Sequence, residues 1–161
     1  MVNILEIINL TKVYKEAQNE ICVLKDVSFS VEEGKFIVFI GPSGSGKTTL
    51  LNLIALLDKA TSGGIIFKGK DLTKIDENFA AKTRLLDMGF VFQFDALLPE
   101  FTVLENILMP AVIANKKAKT RAKYLLEKFG ISHLASKFPP SLSGGEKQRA
   151  ALARASINKP S

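Results

Sequence analysis

Residues 41–49 of this 161-residue chain read GPSGSGKTT, which fits the phosphate-loop pattern G-x-x-x-x-G-K-[ST]. An apolar run, Phe36–Ile40, precedes the motif, and the largely apolar segment Leu50–Leu57 follows it. This order predicts a buried strand, a loop and a buried helix. Glycines in such a loop let amide groups point at phosphate oxygens, and the helix N-terminus favours the anion. The sequence therefore predicts a nucleotide site here, and not a simple Gly/Ser turn.

Within the motif, each residue type has a predicted task. Lys47 is predicted to reach the outer phosphates as a catalytic group, and Thr48 to hold Mg²⁺ through its hydroxyl. Thr49 and the loop amides are predicted to lie against the inner phosphates. The predicted nucleotide-binding residues of this stretch are Gly41, Pro42, Ser43, Gly44, Ser45, Gly46, Lys47, Thr48 and Thr49.

Composition limits the class of protein. The chain is 47% hydrophobic, carries a formal charge of +6 and fits one compact domain. No apolar run approaches the ~20 residues that span a bilayer, and the start lacks the pattern of a signal peptide, so a cytoplasmic location is expected. Residues 115–161 hold 11 Lys and Arg against 2 Asp and Glu. A nucleic-acid surface is one of several explanations for this basic excess.

Two segments before the motif predict an antiparallel β layer. Ile4–Tyr14 and Val23–Val31 both have strand-like patterns, and the second alternates apolar residues with serines. Tyr14, at the end of the first, could stack its ring on an adenine. The alternative is an ordinary strand-end tyrosine that is half-buried with its hydroxyl in water.

A second apolar run, Met88–Phe92, is compatible with another buried parallel strand and ends at Gln93. Ligands of open parallel sheets bind beyond the carboxyl ends of the strands. Gln93 is therefore predicted to face the γ-phosphate and Mg²⁺, although by itself it also fits an ordinary strand end.

Helical patterns follow, each with a start signal. Thr102 and Glu105 predict a capping box for a helix over Val103–Asn115, and a second helix is predicted over Ala118–Phe129. The sequence LSGGEKQR at residues 142–149 opens a third helix, and Ser143 and Glu146 predict a capping box at its start. Two glycines in its first turn cost roughly 1 kcal/mol each relative to alanine. Close approach of a phosphate to bare backbone is the natural explanation.

The phosphate loop, Gln93 and the LSGGExQR helix start, in this order, resemble the ATP-binding subunit of an ATP-binding-cassette (ABC) transporter. The resemblance runs from about Ile4 to Pro160. It implies an α/β fold: a P-loop NTPase core whose RecA-like parallel sheet is incomplete, an N-terminal antiparallel β layer and a helical subdomain. The implied divisions of this single domain are residues 1–94, 95–142 and 143–161.

The resemblance also implies roles for single residues, with ATP and Mg²⁺ as cofactors. Tyr14 falls where the family places its adenine-stacking aromatic residue, and Gln93 matches the Q-loop glutamine, a catalytic residue and Mg²⁺ ligand. The residues implied to contact the ATP of a second subunit are Ser143, Gly144, Gly145 and Glu146.

The implied partners are a second ATPase subunit in a head-to-tail dimer and a transmembrane permease, with the chain peripheral on the inner face of the cell membrane. The stretch Asp95–Asn106 looks most like the branch of lipoprotein-releasing and macrolide-exporting ATPases. Nucleic acid is not expected as a partner on this interpretation. Two alternatives stay open: a soluble ABC-type ATPase acting on nucleic acid, and a noncatalytic nucleotide-binding fragment.

The sequence departs from the family pattern after Asn158–Pro160. Family members continue into a strand with the Walker B aspartate and the catalytic glutamate, and neither is in this sequence. The 161 residues are therefore expected to be a truncated cassette. By themselves they are expected to bind MgATP without hydrolysing it.

Overall fold

The structure is a computed structural model that describes residues 2–16, 19–93 and 97–161. Its strands are β1 Asn3–Glu16, β2 Asn19–Glu32, β3 Ser62–Phe67 and β4 Lys70–Asp71. Its α-helices are α1 Lys47–Ile54, α2 Glu77–Asp87, α3 Val103–Ile113, α4 Lys119–Lys128 and α5 Gly144–Ala155, with short 3₁₀ turns at Ser132–Leu134 and Pro139–Ser141. The chain divides into two compact units, Met1–Ala80 and Ala81–Ser161.

The sheet of the first unit has the strand order β2-β1-β3-β4. Every pair is antiparallel, and Ile7 of β1 lies opposite Phe29 on one side and Ile65 on the other. A register shift between Ile7 and Leu10 interrupts the alternation of side chains along β1, and both residues are buried. The predicted antiparallel β layer is confirmed.

The two runs predicted as buried parallel strands, Phe36–Ile40 and Met88–Phe92, are not strands in the structure. A strand requires a hydrogen-bonded neighbour, and within the described residues neither run has a strand paired with it. Phe36 and Ile40 are each 90% exposed. Their apolar composition predicted burial, but composition cannot supply the neighbouring strand that a parallel sheet needs.

The first unit buries residues of both the sheet and α1. Helix α1 buries Leu50 and Leu53, and strands β1 and β3 bury Leu10 and Ile65. Burying a leucine side chain is worth about 1.5–3 kcal/mol. This packing holds the start of α1 next to β2, where the site described below begins.

The second unit is a helical cluster. The buried faces of α3, α4 and α5 meet in one core that includes Ile107, Leu125 and Ala150. The predicted capping box at the start of α3 is confirmed, with Thr102 accepting from the Glu105 amide and the Glu105 carboxylate accepting from Thr102. The three predicted helices are therefore present, with ends that differ from the expected bounds by a few residues.

Two further points concern the described ranges. None of the helices there is both long and apolar enough to cross a membrane. The predicted division between residues 94 and 95, and the first two residues of the branch-specific stretch Asp95–Asn106, lie outside the described residues.

Candidate functional site

The phosphate loop turns sharply before α1. Gly44 and Gly46 have φ angles of 80° and 84°, which only glycine adopts without steric cost. A Cβ built on Gly46 would lie 2.8 Å from a methyl of Leu24 and 2.9 Å from the backbone oxygen of Val23. Gly46 is therefore required twice, by its backbone angle and by the close approach of β2.

Helix α1 begins directly after this turn, with Gly46 as its N-cap. Glycine has no side chain that could accept from the first amides, and the first turn of α1 holds no Asp or Glu. The amides at a helix start have no intrahelical acceptor, and they carry the positive end of the helix dipole. The start of α1 therefore suits an anion that is not part of α1.

Lys47 lies over the loop. Its Nζ donates to the backbone oxygens of Gly41 at 2.9 Å and Pro42 at 2.7 Å, and to the Ser45 hydroxyl at 3.2 Å. The ammonium and the uncapped amides thus occupy the same short stretch of chain. Thr48, the next residue, is exposed on the first turn of α1, and Thr49 is partly buried.

Tyr14 lies near the end of β1 and is partly buried. Its hydroxyl donates to Asp58 Oδ2 at 2.7 Å, and Lys12 Nζ lies 4.6 Å from its ring centroid. The second expectation for this tyrosine, a hydroxyl in water, is therefore wrong. Desolvation tends to raise the pKa of Asp58, but hydrogen bonds from Lys12, Tyr14 and the Lys59 amide outweigh it and lower the pKa.

The start of α5 carries its own cap. Ser143 is the N-cap, and both its amide and its hydroxyl donate to Glu146 Oε2 at 2.7 Å. The bond from the Ser143 hydroxyl, which has the larger effect, and the bond from its amide hold the pKa of the Glu146 carboxyl below its usual value. The predicted capping box is confirmed. The hydroxyl predicted to contact a second subunit's ATP is therefore engaged within the helix start.

The glycines of α5 have open surroundings. No described atom lies within 4 Å of a Cβ built on Gly144, and the nearest atom to one on Gly145 is the Arg149 guanidinium at 3.7 Å. Neither glycine has a positive φ. The described part of the chain thus gives no steric or backbone reason for glycine at these two positions.

The predicted site residues divide between the two units. The stretch Gly41–Thr49 and Tyr14 belong to the first unit, and Ser143–Glu146 belongs to the second. Gln93 is in the second unit as well, exposed and outside any helix or strand. Sequence reasoning missed Lys12 and Asp58. The spacing of Lys12 and Tyr14 places both on one face of β1, but nothing in the sequence marks Asp58 as their partner.

The described residues contain no group of three or more His, Cys, Asp or Glu side chains that could hold a metal ion. Mg²⁺ in nucleotide sites is commonly bound by one or two protein oxygens together with phosphates and water. The exposed hydroxyl of Thr48 fits a role of that kind, because a protein cage is not required.

Comparison with known proteins places this geometry in a family. Residues 24–161 match the sequence profile of a family described as ABC transporter. The chain is 45% identical over 154 residues to the lipoprotein-releasing system ATP-binding protein LolD of Idiomarina loihiensis, covering 94% of this chain and 68% of the relative.

Solved structures of ATP-binding cassettes are similar to this chain as well. A dimeric post-hydrolysis state of the ATP-binding cassette MJ0796 bound to ADP and Pi superposes with a TM-score of 0.89 at 37% identity. The dimeric structure of MJ0796, a bacterial ABC transporter cassette, gives a TM-score of 0.87 at 38% identity. In each case the match covers 97% of this chain and 70% of the other.

This likeness confirms the predicted fold class, that of a P-loop ABC ATPase cassette, and does not favour the nucleic-acid alternative. The chain belongs to the ABC transporter family, as an ATP-binding ATPase subunit.

Proposed function

We propose that the chain binds MgATP through the phosphate loop and uses it to drive release or export of a substrate across a membrane. The single observation that carries the proposal is the start of α1. There the Lys47 ammonium and a helix N-terminus without a side-chain cap lie on one glycine-bent loop. Three features in one place, a cation, free amides and a helix dipole, all favour the same ligand, a polyphosphate.

Each residue then has a task toward the nucleotide. Lys47 exchanges its loop acceptors for the outer phosphate oxygens, and Thr48 supplies a hydroxyl to Mg²⁺. Mg²⁺ held in part by the Thr48 hydroxyl would supply positive charge next to the phosphates. Gln93 is proposed as the further residue that faces the γ-phosphate, and Tyr14 as the platform for the adenine ring.

A second subunit is proposed to complete the site. The open surroundings of Gly144 and Gly145 support this, because glycines that the described chain does not require expose backbone to a ligand that approaches from outside. The MJ0796 cassettes are described as dimeric, which also supports a pair. On this proposal Ser143–Glu146 of one subunit and Lys47 of its partner contact one ATP.

The proposed setting is the inner face of the cell membrane, with the chain bound to a transmembrane permease. The support is the 45% identity to a protein named as the ATP-binding protein of a lipoprotein-releasing system. Release of a lipoprotein is therefore the proposed task.

Calorimetric titration with ATP and Mg²⁺ tests the phosphate site. Charge-assisted hydrogen bonds are worth about 1.5–3 kcal/mol each, so Lys47→Ala should weaken binding at least about tenfold. The matched control is Lys35→Ala, which removes the same charge from an exposed side chain of the same unit. Equal affinity of the wild type and Lys47→Ala would show that the phosphates bind elsewhere.

A further inference from the structure

Lys12 is a buried lysine with three partners. The residue is 8% exposed, and its Nζ donates to Asp58 Oδ1 and to the backbone oxygen of Lys59, both at 2.7 Å. The third partner is the ring of Tyr14, with the ammonium 4.6 Å from the centroid. A buried ammonium is costly unless it is fully paired, so this arrangement has a defined geometry.

The same carboxylate holds Tyr14 at its other end. Asp58 Oδ1 accepts from Lys12, and Oδ2 accepts from the Tyr14 hydroxyl at 2.7 Å. The ring is thus fixed at its hydroxyl and against one face. Because Lys12 is buried and Tyr14 is only partly buried, the ammonium contacts the ring from the protein interior. Among the described residues the Tyr14 ring contacts no other ring and no cation besides Lys12, which leaves its second face for another planar group.

Asp58 is itself fixed to the end of α1. Leu56 adopts a left-handed φ of 56°, and the Leu57 amide donates to Asn52 at 2.9 Å while the Leu56 amide donates to Leu53 at 3.0 Å. These two bonds form a Schellman motif, which ends the helix and directs the chain that follows. The Asp58 amide also donates to the Asn52 oxygen, at 3.3 Å.

The segment after Asp58 is bound to β1. The Thr61 amide donates to the Thr11 oxygen at 2.9 Å, and the Val13 amide donates to the Thr61 hydroxyl at 2.9 Å. Asp58 therefore lies in a segment attached at one end to α1 and at the other to the strand that carries Tyr14. The distance from α1 to the Tyr14 ring is set by these contacts.

We propose that Lys12 and Asp58 are positioning residues that hold the ring of Tyr14 for the adenine base and couple it to the helix that begins at Lys47. The inference rests on the proposed function, because it requires a nucleotide whose base lies at Tyr14. Neither residue touches the nucleotide. Their effect is to keep the base platform and the phosphate loop, which lie at opposite ends of α1, in one fixed arrangement.

Two ligands distinguish an effect of Lys12 and Asp58 on base binding from an effect on phosphate binding. Calorimetric titrations use Mg²⁺ with ATP, which has a base, and with inorganic tripolyphosphate, which has none. The variants are Lys12→Met and Asp58→Asn, with Lys15→Met as the matched control, because Lys15 forms an exposed ion pair farther along the same strand. We expect Lys12→Met and Asp58→Asn to weaken ATP binding about three- to tenfold, because both residues support stacking of the base. Their affinity for tripolyphosphate should stay within about twofold of the wild-type value.

A second set of ATP titrations uses the Tyr14→Ala variant, which lacks the tyrosine ring. On Tyr14→Ala, neither Lys12→Met nor Asp58→Asn should weaken ATP binding further, because positioning residues act only through the ring. Losses of affinity that are equal for ATP and tripolyphosphate, or that persist in full in the Tyr14→Ala background, would overturn the inference. If Lys12→Met does not fold, Asp58→Asn decides, because it keeps the size of the side chain but has a single oxygen, which cannot accept from Lys12 and Tyr14 as the two carboxylate oxygens do.

Tyrosine emission supplies a readout that is independent of affinity. The chain has no Trp and two Tyr, so Tyr124→Phe leaves Tyr14 as the single emitter. Saturating ATP should quench this emission in Tyr124→Phe, tripolyphosphate should not, and added Asp58→Asn should reduce the quenching. No quenching by bound ATP would overturn the inference and leave the phosphate site standing, whereas a wild type that binds neither ligand would overturn the proposed function and the inference with it.

Discussion

Two of the described helices have glycines at their start, for different reasons. At the start of α1, Gly46 has a φ of 84° and lies where a Cβ would meet β2. At the start of α5, Gly144 and Gly145 have ordinary backbone angles and open surroundings. The first glycine is required by the fold of its own unit. The other two have a use only if something outside the described chain approaches them.

The two starts also differ in how their amides are satisfied. Gly46 offers α1 no side-chain cap, whereas Ser143 and Glu146 cap α5 reciprocally. At a helix start without a side-chain cap, the first amides can donate to a bound phosphate. At a capped start, side chains already accept from some of these amides, so a ligand meets a helix end that is ordered before it binds. This difference leads to predictions of opposite sign for the same kind of substitution.

The largest expected effect is at Gly46. Gly46→Ala should destabilise the protein by more than about 2 kcal/mol, because it combines a left-handed backbone with a Cβ 2.9 Å from the Val23 oxygen. Gly44→Ala is the matched control: its φ is similar, at 80°, but no described atom lies within 4 Å of its Cβ. It should cost about 1–2 kcal/mol. Urea unfolding of both variants measures the difference, and equal losses would contradict a steric role for β2.

Removing the cap of α5 should have a smaller effect. Ser143→Ala should cost about 1 kcal/mol of stability, the usual value of an N-cap hydroxyl. Thr102→Ala, which removes the matching capping box of α3, should cost about the same. The two should differ in nucleotide-dependent dimerisation, which only Ser143→Ala is expected to weaken. Sedimentation with a nonhydrolysable ATP analogue makes the comparison, and identical behaviour of both variants would argue against a second role for Ser143.

Alanine at the α5 glycines should act in the opposite direction. Gly144→Ala and Gly145→Ala should each raise stability by about 0.4–1 kcal/mol, because the native backbone accepts alanine and the unfolded chain loses freedom. Both should weaken the nucleotide-dependent dimer, since each Cβ covers backbone proposed to meet a phosphate. Thermal unfolding and sedimentation of the same samples test the two signs together. A stabilised variant that dimerises like the wild type would remove the proposed reason for these glycines.

The smallest expected effect is on pH dependence. The folded pKa of Glu146 is lowered, so its cap contributes above the unfolded value of about 4.3 and is lost as pH falls through the lower folded pKa. Glu105, also lowered by its cap at Thr102, should behave in the same way. NMR titration of the side-chain carboxyl carbons measures both. Ser143→Ala should raise the pKa of Glu146 alone, and a shift in both glutamates would contradict a local cause.

Local signals in the sequence predict most of the candidate site. The phosphate loop and the capping boxes at Thr102 and Ser143 depend on residues within one turn of each other, so spacing alone predicts them. Phe36–Ile40 was predicted wrongly as a paired strand, because pairing depends on a distant neighbour and not on composition. The bond between Lys12 and Asp58 joins residues 46 positions apart and could not be inferred from spacing.

Mixing two variants, each of which lacks one side of the proposed shared site, tests most directly whether the starts of α1 and α5 bind one ATP from different subunits. Lys47→Ala removes the α1 side of the site, and Ser143→Arg blocks the α5 side. Neither variant alone should form dimers with a nonhydrolysable ATP analogue and Mg²⁺ in sedimentation. A mixture should form them, because each mixed pair has one site with both sides intact. A mixture that stays monomeric while the wild type dimerises, or either variant dimerising alone like the wild type, would contradict the account.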